Sequence, residues 1–199
     1  MIVQNINFPK FLGVRCLMMP YIQGDSSSLP DNYESYSDIV DSIFIKQGDI
    51  GYLTIDESPT NKGKPHRGTR ARTTRALHTE VGLRPGKIYA WGVLCGSSDM
   101  VIVDGDVEIL LANNIDDSCA VWDAQHKDTS IDGDIGYVSD PYPYEKAIMV
   151  KAGEVHKISI FTPHESLPIK ENGERQFLRI LSSGVHGREP YFTINPKMQ

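Results

Sequence analysis

Two histidines and a glutamate have the spacing that points most directly to chemistry in this 199-residue chain. In "RALHTEV", His78 and Glu80 form a His-x-Glu pair. On a strand, residues i and i+2 leave one face about 6.6 Å apart along the backbone, so both can converge on one metal ion. A third ligand would come from a distant strand. Two imidazoles and one carboxylate, with positions left open, suit a non-haem iron centre. Leu77 and Val81 stand on the opposite face with Thr79, and on a one-sided strand they would turn the pair away from the core. At a helix end the two side chains would not share a face at all.

The third ligand is sought in "VKAGEVHKISIFTPHESLPI", residues 150–169. Read as one strand, it puts His156, Ile158, Ile160, Thr162 and His164 on one face. Eight residues of straight strand span about 26 Å, whereas imidazole nitrogens bind a metal at about 2.0 Å. At most one of the two histidines can therefore ligate, unless the chain folds sharply at Pro163. Either His164 or His156 could be that ligand.

Cations follow. Arg175 and Arg179 in "ERQFLRIL" alternate with apolar residues, and an arginine on a half-buried strand needs an anion, either a protein carboxylate or a ligand. Lys62, Lys64, Arg67, Arg70, Arg72 and Arg75 fall within one short stretch, and no acid stands between Glu57 and Glu80. Arg67, Arg70, Arg72 and Arg75 are the anion-binding candidates of that run, for a phosphate, a carboxylate co-substrate or a nucleic-acid backbone. An acidic stretch of the same chain, or another subunit of a homo-oligomer, is the alternative partner. Asp128, Ser130, Asp132 and Gly133 match the first half of an EF-hand loop, but Ser139 stands where the bidentate Glu belongs. An Asp-Gly turn is the default reading of 128–134.

The elements that must position these groups read as strands. Short apolar runs bounded by Gly, Asp, Asn and Pro recur throughout. Strands are expected near 11–19, 42–55, 87–95, 100–112, 118–122, 147–161, 176–181 and 191–194. The continuous apolar run Val107–Ala112 suits a strand buried on both faces. "IKENGERQFLRIL" reads as a hairpin turning at Asn172-Gly173. A helix is expected over 69–81, closed by Gly82. Residues 23–38 form a polar loop or helix start, and 56–75 a long basic loop of the kind that is often functional. The sum is an all-β, single-domain β-sandwich or jelly-roll/double-stranded β-helix over 1–199, with at most one or two short helices.

Composition narrows the classes. The formal net charge of −6 argues against a general nucleic-acid binder, leaving the basic run as the only local route to one. No apolar run reaches the length of a membrane span. The N-terminus lacks the pattern of a signal peptide. Cys16, Cys95 and Cys119 are odd in number and form no Cys-x-x-Cys, so buried thiols in a reducing, cytoplasmic setting are expected. Walker, Gly-x-Gly-x-x-Gly, Gly-x-Ser-x-Gly and His-Glu-x-x-His motifs are absent.

"KAGEVH" resembles the second cupin motif, with Gly153 three residues before His156. Lys151 and Ile160 stand where that motif has Pro and Asn, and the first cupin motif is reduced to His78-Thr-Glu80. The chain is similar to the cupin or double-stranded β-helix class, which includes the iron- and 2-oxoglutarate-dependent oxygenases. That resemblance implies a metalloenzyme acting on a small or polymeric polar substrate. His78, Glu80 and His164 (rival His156) would hold Fe(II) or another divalent metal, Arg175 would bind the distal carboxylate of 2-oxoglutarate, and Arg179 would act beside it in catalysis. Two other functions are compatible with the same residues. One is a non-catalytic β-sandwich that binds an acidic partner or assembles through residues 62–75. The other is a cupin-type sugar isomerase or epimerase that works by histidine general-base chemistry without a metal.

Overall fold

The computed structural model describes residues 1–66, 75–84, 87–90, 101–103, 107–128, 133–138, 142–182, 185–186 and 192–198. The described chain is mostly antiparallel β, as expected. The largest sheet has six strands: β1 (Ile2–Asn5), β2 (Arg15–Ile22), β3 (Ile50–Thr60), β7 (Glu108–Asn113), β10 (Glu154–Ser159) and β12 (Gly173–Leu181). Their order is β1-β10-β7-β12-β3-β2, so β7 and β12 are central.

Both faces of this sheet are covered, which explains the sequence of its central strands. Leu110 and Ala112 of β7, with Leu178 and Ile180 of β12, point to one face, and Ile109, Leu111 and Leu181 point to the other. A strand buried on both sides reads as a near-continuous apolar run, and Val107–Ala112 is that run. The first face is packed by Leu29, Tyr33, Tyr36, Val40 and Ile43. These come from two 3-10 turns, Ser26–Ser28 and Asp31–Tyr36, and one short helix, α1 (Ser37–Ser42). Asp25 starts the first turn by accepting from the Ser27 N–H at 3.0 Å. Beneath them, Glu57 is buried but fully satisfied. Its Oε1 accepts from Tyr36 and Gln176, and its Oε2 from the Leu12 and Val14 N–H groups.

The second face looks onto a three-stranded sheet in the order β11-β8-β9, formed by β8 (Cys119–Val121), β9 (Ile148–Met149) and β11 (His164–Ser166). Cys119 and Val121 pack against Ile109, Leu111 and Ile158 across the gap. Beyond this sheet lies a further cluster of Leu77, Ala120, Trp122, Ile135 and Tyr142. A third sheet, ordered β13-β6-β5-β4, comprises β4 (Val81–Arg84), β5 (Lys87–Ala90), β6 (Val101–Val103) and β13 (Val185–His186). Among the described residues no helix is long and apolar enough to cross a membrane.

Several local expectations are corrected. Residues 147–161 are not one strand: β9 and β10 belong to different sheets. After Ser159 the chain turns, closed by Thr162 N–H donating to Ser159 O at 3.1 Å, and His164 emerges in the second sheet. Asn172-Gly173 is not a hairpin turn. Gly173 opens β12, which pairs with β3 and β7, while Asn172 Oδ1 accepts from Lys62 N–H at 2.8 Å. Residues 75–80 are extended rather than helical, and 69–74 lie outside the described residues. The basic loop starts later than expected, because β3 continues to Thr60. Residues 192–194 form no strand, and Tyr191 lies outside the described residues.

Candidate metal centre

The site begins with a backbone contact. The N–H of His78 donates to the carbonyl of His164, and the N–H of His164 donates to that of His78, both at 3.0 Å. Residues paired this way across an antiparallel bridge project from the same face. Their rings accordingly lie 4.1 Å apart between centroids. Glu80 follows two residues on, so it shares that face, and its N–H donates to Ile160 O at 3.1 Å. On the other side of this extended stretch, Thr79 N–H donates to Gly133 O and Ile135 N–H to Leu77 O. Leu77 is fully buried in the outer cluster. The apolar Leu77 therefore does not turn the His-x-Glu pair toward solvent, because both faces of this segment are covered.

A salt bridge beneath holds the segment in register. Glu165, next to His164, points to the opposite face and accepts from Arg75 Nε at 2.9 Å, Arg75 Nη2 at 2.6 Å and Tyr144 OH at 3.1 Å. Its other oxygen accepts from Ala76 N–H at 3.2 Å. The Arg75 guanidinium also donates to Tyr142 O and lies over the rings of Tyr144 and Trp122. Arg75 was an anion-binding candidate, and its anion is the carboxylate of Glu165. Arg67, Arg70 and Arg72 lie outside the described residues.

The imidazoles are held in a definite tautomer. Nδ1 of His78 meets Ala76 O at 2.7 Å, and Nδ1 of His164 meets Thr162 O at 3.0 Å. A carbonyl only accepts, so each Nδ1 carries a hydrogen, and in the neutral ring the lone pair lies on Nε2. This carbonyl-anchored arrangement is the one that orients metal-binding histidines. One ligand atom each from His78, Glu80 and His164 lies within 4.8 Å of the others. His164 Nε2 and Glu80 Oε1 are 3.3 Å apart. Adjacent ligand atoms on a metal with bonds of about 2.1 Å stand about 3.0 Å apart at right angles and about 3.4 Å in a tetrahedron. The donor set fits a divalent metal.

The Glu80 side chain is only 7% exposed, and this loss of water acts to raise its pKa. The Arg179 guanidinium outweighs this, together with His164 and His78, and holds the carboxyl well below the usual range. Arg179 Nη1 donates to Glu80 Oε2 at 2.8 Å. The anion that Arg179 needed is thus the candidate metal-binding carboxylate itself.

These groups line a cavity of about 330 Å³ between the two sheets, within the range of small-molecule sites. Its apolar wall includes Leu17, Leu111 and Phe177. Arg175 lines it too, from the same face of β12 as Arg179. It is buried at 3% exposure and lies over the Phe177 ring. Its Nε and Nη1 have no hydrogen-bond partner among the described residues. Burial pushes its pKa down to about 10, with Cys119 and Asp56 acting the other way, so it remains a cation at neutral pH.

Sequence reasoning missed two groups in this cavity. Asp56 Oδ2 meets His66 Nε2 at 2.8 Å, and Oδ1 meets Arg15 Nε at 2.9 Å. The hydrogen bond from His66 is the largest influence holding the Asp56 carboxyl below its usual range. Asp56 faces the cavity because it alternates with Glu57 along β3, an alternation that the expected loop at 56–75 concealed. His156, the rival ligand, is elsewhere: it lies in β10 opposite Leu111, with Nε2 3.1 Å from Glu154 Oε2. Asp128 contributes its carbonyl to His126 and Tyr137, and Asp134 caps the Gly136 N–H. Residues 129–132, which would complete a calcium loop, lie outside the described residues. Comparison with protein-family models, with curated proteins and with solved structures returns no match to this chain.

Proposed function

We propose that this protein is a mononuclear non-haem metalloenzyme of the cupin-like kind, an Fe(II)- and 2-oxoglutarate-dependent oxygenase acting on a small or polymeric polar substrate. One observation carries the reading. Two carbonyl-anchored imidazoles and a carboxylate converge in a cavity that also holds the buried Arg175 guanidinium, whose Nε and Nη1 have no hydrogen-bond partner among the described residues. His78, Glu80 and His164 would hold the metal, a three-donor set that leaves positions open. When bound, ferrous iron and 2-oxoglutarate would supply the activation of dioxygen and the oxidising power for attack on a C–H bond. The chain's own residues bind, orient and exclude water. Arg175 takes the distal carboxylate of the co-substrate, a charge-assisted pairing suited to its planar fork. Leu17, Leu111 and Phe177 supply the cavity's apolar wall. The buried thiols Cys16 and Cys119 suit a reducing, cytoplasmic setting in which iron stays ferrous.

The test is metal uptake by tag-free protein under anaerobic, reducing, iron-replete conditions, compared with a His78→Ala, Glu80→Ala variant. About one iron per chain in the native protein and none in the variant is expected. The succinate formed from 2-oxoglutarate should then fall in Arg175→Gln. No bound transition metal in the native protein sinks the reading.

A second reading is favoured by one specific observation, the His66–Asp56 pair in the same cavity. An imidazole held by a carboxylate is suited to general acid–base work, which supports a metal-independent sugar isomerase or epimerase. Solvent-hydrogen exchange into a sugar substrate by metal-free protein, abolished in His66→Ala, would select it.

A further inference from the structure

We infer that Arg179 is a positioning residue that limits Glu80 to one-oxygen ligation and so decides how many positions on the metal remain open. The inference rests on the metal centre proposed above. The two oxygens of Glu80 face different partners: Oε1 lies 3.3 Å from His164 Nε2 and Oε2 lies 2.8 Å from Arg179 Nη1. Oε1 belongs to the ligand set, and Oε2 belongs to the guanidinium.

Both sides of this contact are held by the backbone. Arg179 sits in β12 with ladder partners on both sides, Thr54 of β3 and Leu111 of β7. Its Nη2 approaches Thr54 Oγ1 at 3.5 Å and Met18 Sδ at 3.7 Å. Met18 in turn is seated by its N–H on the same Thr54 hydroxyl at 3.1 Å, at the register shift between Cys16 and Met19. The guanidinium is thus fixed on a rigid platform. Glu80 lies just outside β4, with its N–H bound to Ile160 O.

For Glu80 to chelate through both oxygens, Oε2 would have to leave Arg179, and a guanidinium at 8% exposure would lose that carboxylate. Breaking one side of a buried ion pair is strongly unfavourable. With Arg179 in place the described residues offer three donor atoms, and an octahedral metal would keep three positions for a chelating co-substrate and a further ligand. With both carboxylate oxygens bound, only two would remain.

The test uses Co(II) as probe on the full chain. Native protein and Arg179→Met are titrated with Co(II). Infrared difference spectra, loaded minus metal-free, are then recorded, with Glu80→Gln identifying the Glu80 bands. Native protein is expected to show the wide separation of antisymmetric and symmetric carboxylate stretches that marks one-oxygen ligation. In Arg179→Met the separation should narrow, and the visible absorption per cobalt should weaken as coordination number rises. A narrow separation in the native protein overturns the inference, whether or not Arg179→Met folds. So does a separation in Arg179→Met identical to the native one. Failure of the native protein to bind Co(II) appears in the titration itself, before any spectrum, and removes the metal reading and this inference together.

Discussion

Arg75 and Glu165 form a salt bridge at 2.6 Å with side-chain exposures of 13% and 5%, on the side of the second sheet opposite the imidazoles. Each stands close in sequence to a ligand candidate: Arg75 three residues before His78, Glu165 directly after His164. The bridge therefore pins together the two strands whose other faces build the site. Removing the Glu165 charge leaves the Arg75 guanidinium with Tyr142 O and the two rings, at a cost of about 1–3 kcal/mol. Glu165→Gln is expected to lower the urea midpoint accordingly and to weaken Co(II) binding, although Glu165 contributes nothing to the ligand set.

Glu80 gives stability a definite pH dependence. Its folded pKa lies below the ordinary value of 4.5, because the pull of Arg179 and the two histidines exceeds the opposing effect of burial. In the window between folded and ordinary values the unfolded chain binds the extra proton, so stability rises with pH there. The stabilisation is complete above 4.5 and fades as pH falls through the folded value. The urea midpoints of native protein and metal-free Glu80→Gln should keep a constant gap from pH 7 to about 5 and converge in more acid solution.

Gly153 and His156 have structural roles. Gly153 has φ of +79°, and a Cβ there would lie 2.5 Å from Ile6 O. Its N–H donates to Asn113 O, and its carbonyl accepts from Ile6 N–H. Gly153→Ala should destabilise by more than about 1 kcal/mol. His156→Asn should leave Co(II) binding at the native level, and a loss of binding would place that histidine in the site after all.

The sequence made some of this legible and hid the rest for identifiable reasons. The apolar run Val107–Ala112 could be read because no alternation is required when both faces are buried. The His78-x-Glu80 pair could be read from its period. Its apparent defect, the apolar Leu77 behind it, came from assuming that a strand has one buried face. The turn after Ser159 was hidden because Phe161 and Thr162 are good strand residues, and it depends on local hydrogen bonds between Ser159 and Thr162. The covering segment was hidden by its polar composition. Leu29, Tyr33, Tyr36, Val40 and Ile43 recur at helical spacing, but Ser, Asp and Asn between them read as a loop. The partner of Glu80 could not be read at all, because Arg179 lies ninety-nine residues away and only the fold brings the two together.

Arg175 and Arg179 stand on one face of β12, four residues apart, with about 13 Å of strand between their α-carbons. That interval belongs to a central strand locked by ladders to β3 and β7, so it cannot stretch without breaking one of them. β12 therefore works as a ruler. On the proposed function, a ligand engaging the metal end and the guanidinium end together would have to match a length that the sheet has already fixed, so selection by size would accompany selection by charge.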